Sequence, residues 1–258
     1  MTKKSQSIKS KAYPFIFIVC IIFLWGILCV SEIVPPYMLP SPYAVIMVLI
    51  SDFFILLEHC VTTLTEALLG LFLSIVFGVA VAMAMDRFEF LYLAVYPVLV
   101  LTQTVPAIAI APLLILWMGF GILPKVMLIF ITCFFPIAVS TLGGLRSVDP
   151  DIVSLLKSLG ASPRYILFHV KLKASLESFF SGLKLAAAYS IIGAVISEWL
   201  GGSKGLGVYM TRVRKAYAFD KMFAAIIFVS LTSLFLMGAV NIIHKKSMPW
   251  KEVRNENN

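Results

Sequence analysis

Runs of about 20 apolar residues, the length that crosses a bilayer, recur along this chain. They cover residues 13–30, 62–85, 91–117, 123–142, 179–200 and 222–243. Inside hydrocarbon every backbone donor and acceptor must be paired internally, and a helix does this within one segment. The expected fold is therefore all-α: a polytopic membrane protein with about six transmembrane helices in a single domain spanning 1–258. Composition agrees, with 60% hydrophobic and only 13% charged residues, against roughly 25% charged in soluble domains.

Lys3, Lys4, Lys9 and Lys11 precede the first run in the manner of a signal peptide. No small-x-small cleavage site follows, so the segment reads as an uncleaved helix. The next stretch, EIVPPYMLPSP, is too rich in proline for a regular helix and reads as a surface connection or a short ordered cap. Pro97, Pro106 and Pro112 should kink the third run, and the freed carbonyls should then face a neighbouring helix or a cavity. Gln103 and Thr104, beside those kinks, are the polar candidates for lining a solute path. Gly70, Gly78, Ala80, Ala82 and Ala84 suit close helix packing. Cys20, Cys29, Cys60 and Cys133 have no metal-binding spacing and read as small packing residues.

The distribution of Lys and Arg sets orientation. With the N-terminus inside, 15 of the 21 basic residues fall on the inner side and 6 outside. The positive-inside rule then places both termini and residues 143–182 in the cytoplasm. A net charge of +8 spread beside apolar runs does not describe a nucleic-acid surface.

Residues 143–182 interrupt the hydrophobic pattern with a charged, amphipathic stretch. Asp149, Pro150 and Asp151 form a helix start. Ile152, Leu155, Leu156 and Leu159 follow at spacings of three and four. Gly160 ends that helix with a tight turn that a side chain would obstruct, and Ser162-Pro163 begins a second short helix. From the residues alone, this is either an interfacial hairpin on anionic lipid or a docking element for a soluble partner.

Several segments together resemble the binding-protein-dependent permeases of bacterial ABC importers, within the nitrate, taurine, sulfonate and thiamine-precursor group. They are PAIAIAPLLILWMGFG (106–121), PK (124–125), FFPI (134–137), LKSLGAS (156–162), SGLKLA (181–186), SEWLGGSKGLG (197–207) and FDKMFAAI (219–226). The likeness covers residues 57–250. It implies a type I importer permease fold in the bacterial inner membrane, working by alternating access. It also implies cytoplasmic coupling helices that seat in two copies of an ABC ATPase, a second copy of the permease, and an extracytoplasmic solute-binding protein. Ser154, Leu155 and Leu156 stand where the family has Glu-Ala-Ala, and Gly160 stands at its glycine. Lys173 and Glu177 replace prolines usual in the family. Leu159, Ala161, Arg164 and His169 complete the implied coupling surface.

ATP and Mg would be used by the partner, since the chain lacks a GxxxxGK[ST] loop and any catalytic or metal-binding set. The outer loop after the fifth run brings Glu198 and Trp199 forward, with Glu66, as residues of a gate or path. The resemblance favours a pyrimidine or riboflavin-like solute, with sulfonate, taurine or nitrate as the alternatives. An ATP-independent secondary transporter is the alternative, though no internal repeat supports it.

Overall fold

The computed structural model describes residues 3–31, 34–35 and 38–248. Glu32, Ile33, Pro36 and Tyr37 of the Pro-rich connection, and Lys251 and Arg254 of the tail, lie outside the described residues. Among the described residues all regular structure is helical. Helices α1 (Lys3–Val30), α2 (Pro42–Ser51), α3 (Phe53–Arg87), α4 (Glu89–Thr102), α5 (Ala107–Met118) and α6 (Ile122–Arg146) come first. They are followed by α7 (Pro150–Ser158), α8 (Pro163–Tyr165), a π-helical turn (Ile166–Lys171), α9 (Leu172–Gly201), α10 (Leu206–Lys215) and α11 (Phe219–Ser247).

Four helical runs have the length and apolarity to cross a membrane: α3, α6, the continuous run Pro163–Gly201, and α11. The apolar part of α1, Ile16–Val30, is shorter than these. The expected third span is corrected: it is two helices, α4 and α5, meeting at 101°. Pro106 explains the break. It has no N–H to donate, it disfavours helix at Val105, and it adopts φ −62°, ψ 126° as the N-cap of α5. The Thr102 and Thr104 hydroxyls donate back to the carbonyls of Leu99 and Leu101 at 2.6 and 2.8 Å. Pro97 and Pro112 stay inside their helices and break nothing.

The chain divides into two compact units, Met1–Glu58 with Tyr209–Phe228, and His59–Val208 with Val229–Asn258. In the first, Val45, Val48 and Ala224 form a small core against Trp25 and Phe223. The Trp25 indole donates to the Pro40 carbonyl at 3.0 Å, and Ser41 caps α2. Thus the proline stretch ends as an ordered cap, leading into a helix that hydrophobic run length alone does not reveal. Asp52 closes α2 and accepts from Lys221 Nζ at 2.8 Å and the Tyr209 hydroxyl at 3.1 Å. The Lys221 bond holds the Asp52 carboxyl below its ordinary value against the opposing effect of burial.

In the second unit α6 packs along α9 around Ile129, Cys133, Ile137, Ala187 and Ile191. Glycines permit the approach: a Cβ at Gly144 would sit 2.7 Å from Ser175 Cα, and one at Gly182 would meet the Pro136 carbonyl and Ser140. Gly70 and Gly78 lie similarly against Ile129 and Ile137, and Ala82 is buried, as packing residues should be. Ala80 is exposed and lies outside that role. Cys60 and Cys133 are buried, Cys29 is half-buried and Cys20 is exposed.

Two outcomes follow. Gly182→Val should lower the melting temperature in detergent or abolish folded yield, while Gly238→Ala, where a Cβ meets nothing within 4 Å, should leave both unchanged. Because the folded pKa of Asp52 is depressed, its contribution is complete above the unfolded carboxylate value of about 3.9 and is lost as pH falls through the lower folded value. Acid-limb melts of Asp52→Asn should therefore be flatter than those of the parent.

Candidate functional site

The segment from Ser147 to Lys171 is fastened at both ends. Arg146 pairs with Glu89 at 2.9 Å, donates to the Met85 carbonyl, and lies 3.7 Å over the Tyr92 ring. Lys171 pairs with Asp86 at 2.7 Å. Between these clamps α7 starts as the sequence implies, with Asp149 accepting from the Asp151 N–H at 2.8 Å.

The helix ends in a Schellman arrangement, in which Gly160 N–H donates to Lys157 and Ala161 N–H to Leu156, both at 3.0 Å. Gly160 sits at φ +83°, which strains any other residue by about 1–2 kcal/mol. A Cβ there meets nothing within 4 Å, so the expected steric obstruction is corrected to a conformational requirement. The second short helix also needs correcting. Ser162 caps α8 by accepting from Tyr165 N–H, but α8 runs through the π-helical turn into α9 as one rod.

Of the coupling candidates, Ser154, Leu155, Leu159, Gly160, Arg164 and His169 are exposed, while Leu156 and Ala161 are half-buried. Leu159 is 74% exposed and Leu155 60% exposed. His169 stacks on Tyr165 with ring centroids 4.4 Å apart.

The break between α4 and α5 opens a cavity of about 260 Å³. Thr102, Gln103, Thr132 and Tyr189 supply its polar lining, with Ile110, Ile192 and Ile196 among the apolar lining. No acidic side chain and no Lys, Arg or His lines it. Gln103 lines the cavity; Thr104 is exposed beside it. Sequence reasoning missed Thr132 and Tyr189, because each is a lone polar residue in a long apolar helix that gains meaning only when helices converge.

Glu66 and Glu198 lie elsewhere, in a buried polar network that ties the loop between α9 and α10 to α3. Glu198 accepts from the Thr63 hydroxyl at 2.7 Å and from the Gly207 N–H at 2.6 Å. The N–H groups of Gly205 and Leu206 donate to His59 Nδ1 and Thr63 Oγ1. Gly205, at φ +125°, leaves the Glu198 carboxylate the space a Cβ would take. Lys125, at the start of α6, pairs with Glu66 at 2.6 Å, both side chains being almost fully buried. Trp199 is exposed next to this network. Thus Gly205 and Gly207 of SEWLGGSKGLG let the loop close on the Glu198 carboxylate, one by leaving it space and the other by donating its N–H.

A broken helix pair opening a polar-lined cavity among membrane-length helices is the build of a membrane permease. The chain belongs to the family of binding-protein-dependent transport system inner membrane components, whose family model matches residues 74–248. It is 35% identical to the formylaminopyrimidine transport permease protein ThiX of Halalkalibacterium halodurans, covering 93% of this chain and 96% of that one. It is 28% identical to the riboflavin transport system permease protein RibX of Chloroflexus aurantiacus, over 84% and 82% of the two chains. The fold is similar to that of the MetNI methionine ABC transporter in an inward-facing conformation. That match has TM-score 0.67 and 16% identity, and covers 76% of this chain and 97% of the other. The resemblance seen in the sequence is thereby borne out: this is a multi-pass ABC importer permease for small solutes.

Breaking the buried pair tests the network. Lys125→Met strands the Glu66 carboxylate and should cost about 3–5 kcal/mol of stability, seen as a large drop in melting temperature in detergent. The double change Lys125→Met with Glu66→Leu should recover most of it.

Proposed function

We propose that this chain is the permease of an ATP-driven importer for a small, uncharged heteroaromatic solute of the pyrimidine or riboflavin type. The observation that carries the motor half of this reading is the exposure of Leu155 and Leu159 on a helix capped at both ends and clamped by Arg146 and Lys171. Two large apolar side chains held rigidly beyond the membrane-length helices are the anchors a groove on a soluble subunit grips. In this reading the partner is an ABC ATPase in two copies, which binds ATP and Mg and contacts Ser154, Leu155, Leu156, Leu159, Gly160, Ala161, Arg164 and His169. The permease itself performs no hydrolysis. The termini and residues 147–171 then face the cytoplasm, as the Lys and Arg distribution supports. A solute-binding protein meets the opposite face.

The cavity supports the solute class. Its lining offers hydroxyl, amide and phenol groups but no cation to offset a sulfonate or nitrate. Relatives bearing the names of formylaminopyrimidine and riboflavin transport agree with that chemistry. Glu66, Glu198 and Trp199 act in this reading on the outer gate, and Gln103 and Thr104 on the path.

A second copy of the chain completes the path. Gln103, Thr104, Val105 and Pro106 are exposed at a non-helical break, and such backbone is tolerated at membrane depth only against protein or a water-filled cavity. A homodimer supplies both.

The experiment is reconstitution with the ATPase and binding protein. ATP-loaded proteoliposomes should accumulate a pyrimidine, whereas a proton gradient without ATP should drive no uptake. Uptake driven by the gradient alone would favour a secondary transporter and sink the proposal. Leu155→Glu or Leu159→Glu should each weaken co-purification of the ATPase by about tenfold or more. Lys215→Glu, in α10, should not, and equal recovery from all three would remove the docking role.

A further inference from the structure

We infer that the cleft between the end of α3 and the α7–α8 turn is a binding site for the headgroup of an acidic phospholipid. The cleft has a volume of about 540 Å³. Four elements build its walls: Asp86 and Arg87 from α3, Val153 and Lys157 from α7, Pro163 and Arg164 from α8, and residues between Ile166 and Lys171 from the π-helical turn.

Its charge is unbalanced. Lys171 is committed to Asp86 through bonds of 2.7 and 2.8 Å, so that pair neutralises itself. Arg87, Lys157 and Arg164 also line the cleft, all three are exposed, and none forms an ion pair among the described residues. Asp86 is the one acidic side chain in the lining. Three cations without counter-charge around a shared hollow attract a phosphate, and an Arg fork meets its oxygens two at a time.

The remainder of the lining is apolar. Val153, Ile166, Leu167 and Phe168 line the same space, and Phe168 is 56% exposed. A free phosphate has no use for that surface, whereas a lipid has a glycerol backbone and acyl chains to lay on it. Position supplies the third argument. Arg87 closes α3 two residues after the apolar run 62–85. The Arg87 wall of the cleft therefore borders the headgroup layer, whichever face of the membrane it occupies. Basic pockets at that depth are where anionic headgroups are held.

Occupancy has a structural consequence. A phosphate bridging Lys157 to Arg87 and Arg164 would tether α7 to the ends of α3 and α8, since these three cations belong to three elements. The lipid would hold the exposed leucine face of α7 in one pose. The site shares Arg164 with the proposed ATPase contact surface but does not rest on that reading, and its test, on the chain without the ATPase, reads lipid retention alone.

Native mass spectrometry of the full chain, delipidated in detergent and then offered equal phosphatidylglycerol and phosphatidylcholine, measures the site. Phosphatidylglycerol should be retained in preference. Removal of each cation, by Arg87→Ala or Arg164→Ala, should weaken retention about fivefold. Lys157→Glu, on an exposed face of the short α7, changes no membrane helix and gives a variant in which folding is not at risk. It should lose retention at least as strongly. Arg214→Ala, which removes a cation from α10, should retain lipid like the parent. Equal retention of the two lipids, parent-like retention in Lys157→Glu, or full displacement by inorganic phosphate would each overturn the assignment.

Discussion

Hydrocarbon offers a peptide group nothing to bond with, and that single prohibition governs this molecule. It turns apolar runs into helices and makes any interruption expensive unless its polar groups are served from within. The break at 103–106 shows how the requirement is met: two threonine hydroxyls return to the preceding turn, and the freed backbone borders a cavity. The loop between α9 and α10 meets it differently, with backbone donors of Gly205, Leu206 and Gly207 drawn onto His59, Thr63 and Glu198. In both places the irregular backbone that hydrocarbon would forbid is where the polar chemistry of the chain gathers.

Buried charge follows the same logic at higher stakes. Glu66 and Lys125 are nearly inaccessible, and each is tolerable only because the other is present. One oxygen of Glu66, Oε2, has no hydrogen-bond partner among the described residues, which leaves Lys125 as the pairing that matters. Such a pair contributes little net stability. It does fix the register of α3 against α6, because any slip separates two charges that cannot be left alone.

Much of the fold was legible in the sequence, because run length, lysine and arginine placement and helix caps are local. Asp149, Pro150 and Gly160 marked the bounds of α7, and the family segments marked the architecture. What escaped was what arises from convergence. Helix α2 is short and hidden behind prolines, and α10 is amphipathic with a basic end, so neither shows as an apolar run. Pro97, Pro106 and Pro112 look alike in the sequence, yet only Pro106 follows two residues whose side chains can satisfy the broken turn. Glu66 and Glu198 were visible as charges in apolar surroundings. Their partnership with Lys125 and Thr63 was not, since it joins residues 59 positions apart for Glu66 and 135 apart for Glu198.

The fusion of α8, the π-helical turn and α9 into one run of 39 residues has a mechanical corollary. At about 1.5 Å per residue such a rod is close to 60 Å long. One end carries Arg164 and His169, and the other carries Glu198 with the loop it grips. Because α9 is continuous beyond the π-helical turn, a twist applied at its start would reach its far end as displacement rather than being absorbed along the way. The extra residue in the π-helical turn is the one place where that torque has slack.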